Sequence, residues 1–248
     1  MKPPSEDVLL FEPWDFEALS PAHAKDPELN ERRLAARRRL DALAKAVVER
    51  GKASGLALES RTSLHHPHAF NGGAVRRLWA YVTRGKKQKA RLARVLGAEL
   101  GRDLDAAYRN AYLCLALEHE ALEASLRIHP EGWYDGQNML QRLAAEGQGP
   151  LLGRLRELEG FRLRIDDWKG EWRAGPSLEP ERLAEFFRYY KPGEHRFAIE
   201  RRWPAPAGAR EAVLAPGVAA SLVGEVTRLF DVYRWIAWSE ESDFLFAR

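Results

Sequence analysis

Residues 111–130, AYLCLALEHEALEASLRIHP, carry the pattern that decides the fold. Two apolar runs flank Glu118, His119 and Glu120, a polar triplet short enough for a tight turn. In the second run Leu122, Ala124, Leu126 and Ile128 alternate with Glu123, Ser125 and Arg127. A period of two sends successive side chains to opposite faces of a strand. The stretch therefore predicts an antiparallel hairpin with one dry face and one wetter face.

Working outward, strands again come in neighbouring pairs. GLALESRTSL (55–64) and RRLWAYVTR (76–84) both read as strands, the second alternating Leu78, Ala80 and Val82 with Trp79, Tyr81 and Thr83. FRLRIDDW (161–168) and EHRFAIERRW (194–203) add two more. Helices are predicted between them. In residues 27–52, Pro27 suits a first turn, Gly51 suits an end, and Leu40, Leu43, Ala44 and Val47 form one apolar stripe. Residues 86–110 read as helical over their middle. Residues 132–147 and 149–160 read as two helices, and 177–190 as another that opens at Pro180. GVAASLVGEVTRLFDVYRWIAW (217–238) reads as a long apolar C-terminal helix packed across the sheet. Paired strands, rather than strict strand–helix alternation, predict an α+β fold with a mainly antiparallel sheet. Nothing resembling a linker divides the chain, so residues 11–248 read as one domain. Residues 1–10 read as a flexible tail, because Pro3 and Pro4 oppose regular structure.

The 248 residues are 45% hydrophobic and 30% charged, a globular composition long enough to bury a large core. Cys114 is the single cysteine, so no internal disulfide forms; its apolar surroundings predict an inert buried thiol. MKPPSEDVLL lacks the apolar core of a signal peptide, and no window reaches the roughly 20 apolar residues of a membrane span. A cytoplasmic protein that engages no membrane is expected. No phosphate-binding loop, dinucleotide fingerprint or nucleophile elbow occurs, which argues against those enzyme classes.

Asp15 and Phe16 near the start precede a long helix, and a strand then ends near Pro67 and His68. The basic aromatic strand RRLWAYVTRGKK follows, then apolar strands and a C-terminal amphipathic helix. This order of elements resembles the YktB-like family of small uncharacterised bacterial proteins. The chain departs from it by extra helix between RGKK and YLCLALEH. The resemblance implies an α+β fold and brings no established activity.

Net charge is only +3, with 39 cationic residues against 36 acidic ones, so anion binding has to come from local clustering. One cluster stands out. Arg76, Arg77, Arg84, Lys86, Lys87, Lys89, Arg91 and Arg94 follow one another with no acid between them, and Trp79 and Tyr81 lie among them. Cations that displace counterions and aromatic faces that stack on bases are what nucleic acid requires. A strand at 76–84 and a turn at 86–89 are expected to present them. The leading expectation is thus a non-catalytic polyanion-binding domain that needs no cofactor.

The alternative is a metal-assisted hydrolase. His65, His66 and His68, joined by His119 or the carboxylates of the 118–120 turn, would hold a divalent transition metal. Neighbouring strand residues face opposite ways, however, and no His-Glu-x-x-His spacing occurs, so no metal is favoured. Asp166 with Asp167, and Glu118 with Glu120, are weaker carboxylate pairs. Trp133, Tyr134, Gln137 and Asn138 are candidate pocket walls. Trp168 and Trp172 are candidate contacts of a protein-interaction module.

Overall fold

A computed structural model of the chain describes residues 11–62, 73–166, 170, 172–205 and 218–246. The hairpin lies at its centre: β3 (Ala111–Glu118) and β4 (Ala121–Ile128) pair antiparallel, with Leu117 opposite Leu122 and Cys114 opposite Ser125. To one side lie β2 (Arg77–Arg84) and the edge strand β1 (Leu58–Thr62). To the other lies β7 (Phe197–Pro204), with Leu126 opposite Ile199, and beyond it β5 (Arg162–Ile165) and β6 (Trp172–Arg173). The seven strands run β1-β2-β3-β4-β7-β5-β6, and each neighbouring pair is antiparallel.

Alternation decides which face is covered. Leu78, Ala80, Val82, Leu113, Leu115, Leu117, Leu122, Ala124, Leu126, Ile199 and Leu163 are buried in one core. Against that face lie α2 (Asn30–Ala53), α7 (Val218–Arg228) and α8 (Phe230–Ile236). The last two form the bent C-terminal helix of 19 residues, as the apolar pattern predicts. Burying each Leu or Ile there contributes about 1.5–3 kcal/mol. The short α1 (Pro13–Glu17), α4 (Trp133–Glu146), α5 (Gly149–Arg156) and α6 (Pro180–Tyr189) complete the layer. Phe186 of α6 meets Trp172 and Phe197 edge-on, at 5.2 and 5.8 Å between ring centres. Among the described residues no helix is long and apolar enough to cross a membrane.

One departure from the sequence reading concerns residues 86–89. They open α3 (Lys86–Leu100) instead of forming a turn, because the extended Gly85 caps the helix and directs it away from β2. At Gly97 the backbone takes φ 80°, which kinks α3, and only glycine reaches that conformation without strain. Leu92 and Leu96 pack with Leu104, Tyr134 and Trp238 in a second small core.

Arg33 of α2 shows how the N-terminal segment is held. Its side chain is buried, and among the described residues no carboxylate bonds it. It donates instead to the carbonyl oxygens of Ala18 (3.0 and 2.9 Å), Asp26 (2.8 Å) and His23 (2.5 Å). A lysine carries its three donors on one compact ammonium and lacks the planar fork that spans all three carbonyls. Arg33→Lys is expected to cost about 2–3 kcal/mol, since each buried carbonyl left without a donor carries a desolvation penalty. Limited proteolysis should then cut within residues 18–26 before the sheet is attacked. Protection equal to that of the parent protein would show that other contacts hold the segment.

Candidate functional site

The second face of the sheet is polar, and the register places its residues in rows. Arg77 lies opposite Glu118, Trp79 opposite Ala116, and Tyr81 opposite Cys114. Across β3 and β4, Tyr112 meets Arg127, Cys114 meets Ser125, and Ala116 meets Glu123. β7 adds Glu200 beside Ser125 and Arg202 beside Glu123, and β5 adds Arg162 and Arg164.

Glu123 is the hub of this face. Its carboxylate is fully buried and accepts from the Ser125 hydroxyl at 2.6 Å, Arg127 at 2.7 and 2.9 Å, Arg77 at 3.1 and 3.2 Å, and Arg202 at 3.2 Å. Burial on its own would raise its pKa; the Arg127 and Arg77 guanidiniums outweigh that and hold it at about 2. Glu200 binds Arg127 at 2.8 Å and Arg164 at 3.4 Å, while Glu118 reaches Arg77 at 3.2 Å and also bonds Arg202. Arginines on a strand would ordinarily sample many rotamers. Here the buried carboxylates fix them.

Beside the hub opens a pocket of about 180 Å³ lined by Arg77, Trp79, Tyr112, Cys114, Arg127, Ile128, His129, Arg196 and Phe197. Among the described residues no carboxylate belongs to that lining. Arg127 spends Nε and one terminal nitrogen on Glu123, Ser125 and Glu200; its Nη1 bonds nothing among the described residues. Arg196 is exposed, and among the described residues its guanidinium has no partner. Its backbone is fixed by Asp166, whose carboxylate accepts the Arg196 N–H at 3.0 Å and whose own N–H donates to the Arg196 carbonyl at 3.0 Å. Asp166 does this at φ 45°, a left-handed conformation that aspartate tolerates better than most residues.

The titratable groups of the pocket favour binding over nucleophilic chemistry. Burial pushes the Cys114 thiol up to about 11 and the Tyr112 phenol up to about 12, so both keep their protons at neutral pH. His129 is lowered by burial and then by Arg196, which leaves it neutral. Its Nδ1 accepts the Glu131 N–H at 3.2 Å, so Nε2 carries the ring proton. Trp79 and Tyr81 lie with ring centres 5.1 Å apart, and Tyr81 meets Tyr112 edge-on at 6.2 Å, forming an aromatic row beside the arginines.

The residues of the basic stretch do not share one surface. Arg77, Trp79 and Tyr81 belong to the polar face, Tyr81 largely buried. Arg84 lies on the opposite face, 1% exposed and bonded to Asp135 of α4, so its inclusion in an exposed cationic surface is corrected. Lys89 is likewise buried, neutralised by Glu59 at 2.5 Å and Asp105 at 3.2 Å. Arg91 pairs with Glu240 at 2.9 Å. Arg76, Lys86, Lys87 and Arg94 are exposed, with no ion pair among the described residues. Absence of acids in the sequence run thus says little about charge in space, because distant strands and loops supply them.

His65, His66 and His68, like Asp167 and Trp168, lie outside the described residues. His119 lies against α1, its Nδ1 3.4 Å from the Phe16 carbonyl oxygen and 3.8 Å from Glu17. Among the described residues no three His, Cys, Asp or Glu side chains gather as a metal-binding group. Trp172 is 4% exposed and cannot serve as a surface contact. Tyr134 is buried, and Asn138 donates to the Ser242 carbonyl at 3.0 Å and accepts the Phe244 N–H at 2.8 Å, so both hold the C-terminal segment rather than line a pocket.

Sequence reasoning missed Glu123, Arg127 and Arg196 as site residues. A signal for two of them existed: acid, hydroxyl and guanidinium alternate as Glu123, Ser125 and Arg127 on a strand whose other residues are apolar. Compared with known proteins, the chain matches no family model and no curated protein.

Proposed function

We propose that the protein is a non-catalytic binding domain for single-stranded nucleic acid, engaged by the polar face of its sheet. One observation carries this reading: Arg77, Arg127 and Arg196 line a pocket with Trp79 and Tyr112, and among the described residues no carboxylate joins that lining. Guanidiniums pair with phosphate oxygens through paired N–H donors, and an indole offers a base a stacking surface. The exposed cations Arg76, Lys86, Lys87 and Arg94 extend the positive surface beyond the pocket.

Fluorescence anisotropy with labelled single strands tests it. One phosphate in the pocket and two more on the exposed cations around it give a log–log salt slope of about −2, or roughly 15-fold weaker binding between about 50 and 200 mM salt. Trp79→Ala should cost about 1–3 kcal/mol if one base stacks there. Arg196→Glu, at an exposed position, should weaken binding without altering the unfolding midpoint. Lack of retention of any DNA or RNA strand at low salt would refute the proposal.

A further inference from the structure

We infer that the pocket receives a terminal phosphate of the strand, a phosphomonoester at a 5′ or 3′ end, rather than a phosphodiester within it. This rests on the proposed nucleic-acid reading and narrows it.

Size is the first ground. A volume of about 180 Å³ is close to that of cavities known to hold a single benzene-sized molecule, about 150 Å³. A phosphate group fits, with the attached sugar or base at the mouth against Trp79, and the volume is that of one such group rather than of a run of nucleotides. Charge is the second. A phosphomonoester carries about −1.5 to −2 at neutral pH, and a diester carries one negative charge. Arg77 and Arg127 share their charge with Glu118, Glu123 and Glu200, whereas Arg196 has no ion pair among the described residues, and the more highly charged group gains more from it.

Unspent donors are the third ground. Arg127 Nη1 and the whole Arg196 guanidinium have no partner among the described residues. His129, whose Nδ1 is taken up by the Glu131 N–H, belongs to the same lining. Arg127 and Arg77 are meanwhile held from behind by Glu123, so their orientation does not have to be fixed when the ligand arrives. Buried carboxylates hold Arg77 and Arg127 in place, and Arg127 Nη1 and Arg196 supply the open donors of an oriented anion receptor.

The test compares oligonucleotides of one sequence carrying a 5′-phosphate, a 3′-phosphate or hydroxyls at both ends, with the full chain at fixed salt. At least one phosphorylated end is expected to bind about tenfold or more tightly than the hydroxyl strand, and the arm that does so identifies the end. Arg196→Glu should abolish that preference while the parent affinity for the hydroxyl strand changes less. Equal binding of all three strands overturns the inference and leaves nucleic-acid binding standing. Binding of none overturns both.

Discussion

Asp135→Ala is expected to destabilise the protein by about 3–5 kcal/mol, the usual consequence of stripping one partner from a buried ion pair. Asp135 has no exposed surface and Arg84 has 1%. The carboxylate does more than neutralise the guanidinium. It accepts the backbone N–H of Ala111 at 2.6 Å, where β3 begins, and that of Trp238 at 2.8 Å, just beyond α8. Arg84 in turn donates to the Trp238 carbonyl at 3.1 Å. One side chain on α4 therefore joins the end of β2, the start of β3 and the C-terminal segment. Alanine leaves a buried guanidinium without its counter-ion and two buried N–H groups without acceptors. Urea unfolding measures the loss. Asn at 135 should cost less, because it keeps an oxygen for one N–H. The paired change Arg84→Met with Asp135→Leu should recover part of the deficit, since it removes the unpaired charge along with its partner. A loss below about 1 kcal/mol for Asp135→Ala would show that the junction does not depend on this carboxylate.

That junction also marks how far the sequence could be read. Alternation in 111–130 and 76–84 was enough to place the hairpin, its turn and the neighbouring strand, because period-two patterning reports burial directly. The 27–52 helix was legible for the same reason at period 3.6. Arg84 was not. In the sequence it continues a basic run; in the fold its position on β2 points to the core face, where α4 brings Asp135 from 51 residues away. Lys89 fails similarly, with its acids coming from Glu59 and Asp105. The polar face was half legible. Glu123, Ser125 and Arg127 announce a wet side of β4, but β7 pairs with β4 across the intervening α4, α5, β5, β6 and α6. Only that long-range pairing delivers Glu200 and Arg202 to the cluster. Local pattern gives faces, and nonlocal strand order gives partners.

Glu123→Gln should produce the second large effect, and it links the stability of the sheet to its proposed ligand. Glutamine keeps the shape and loses the charge that three arginines surround. With the carboxylate held at about 2 in the folded protein and near 4.5 when unfolded, its ionisation contributes about 3 kcal/mol. The folded-state pKa is the lower one, so this contribution is fully present above about pH 4.5. It is lost as the pH falls toward about 2. Parent and variant should therefore differ most near neutrality and converge toward about pH 2, where the parent's carboxyl is protonated too. Thermal unfolding across that range checks the shape of the difference. At neutral pH the variant leaves Arg77, Arg127 and Arg202 around a neutral amide, so an added anion can take over part of the lost role. Inorganic phosphate should raise the variant's midpoint more than the parent's, and chloride at matched ionic strength should not. Equal responses to the two salts would mean that the guanidiniums around Glu123 are closed to anions, and the pocket beside them would lose its claim to bind phosphate.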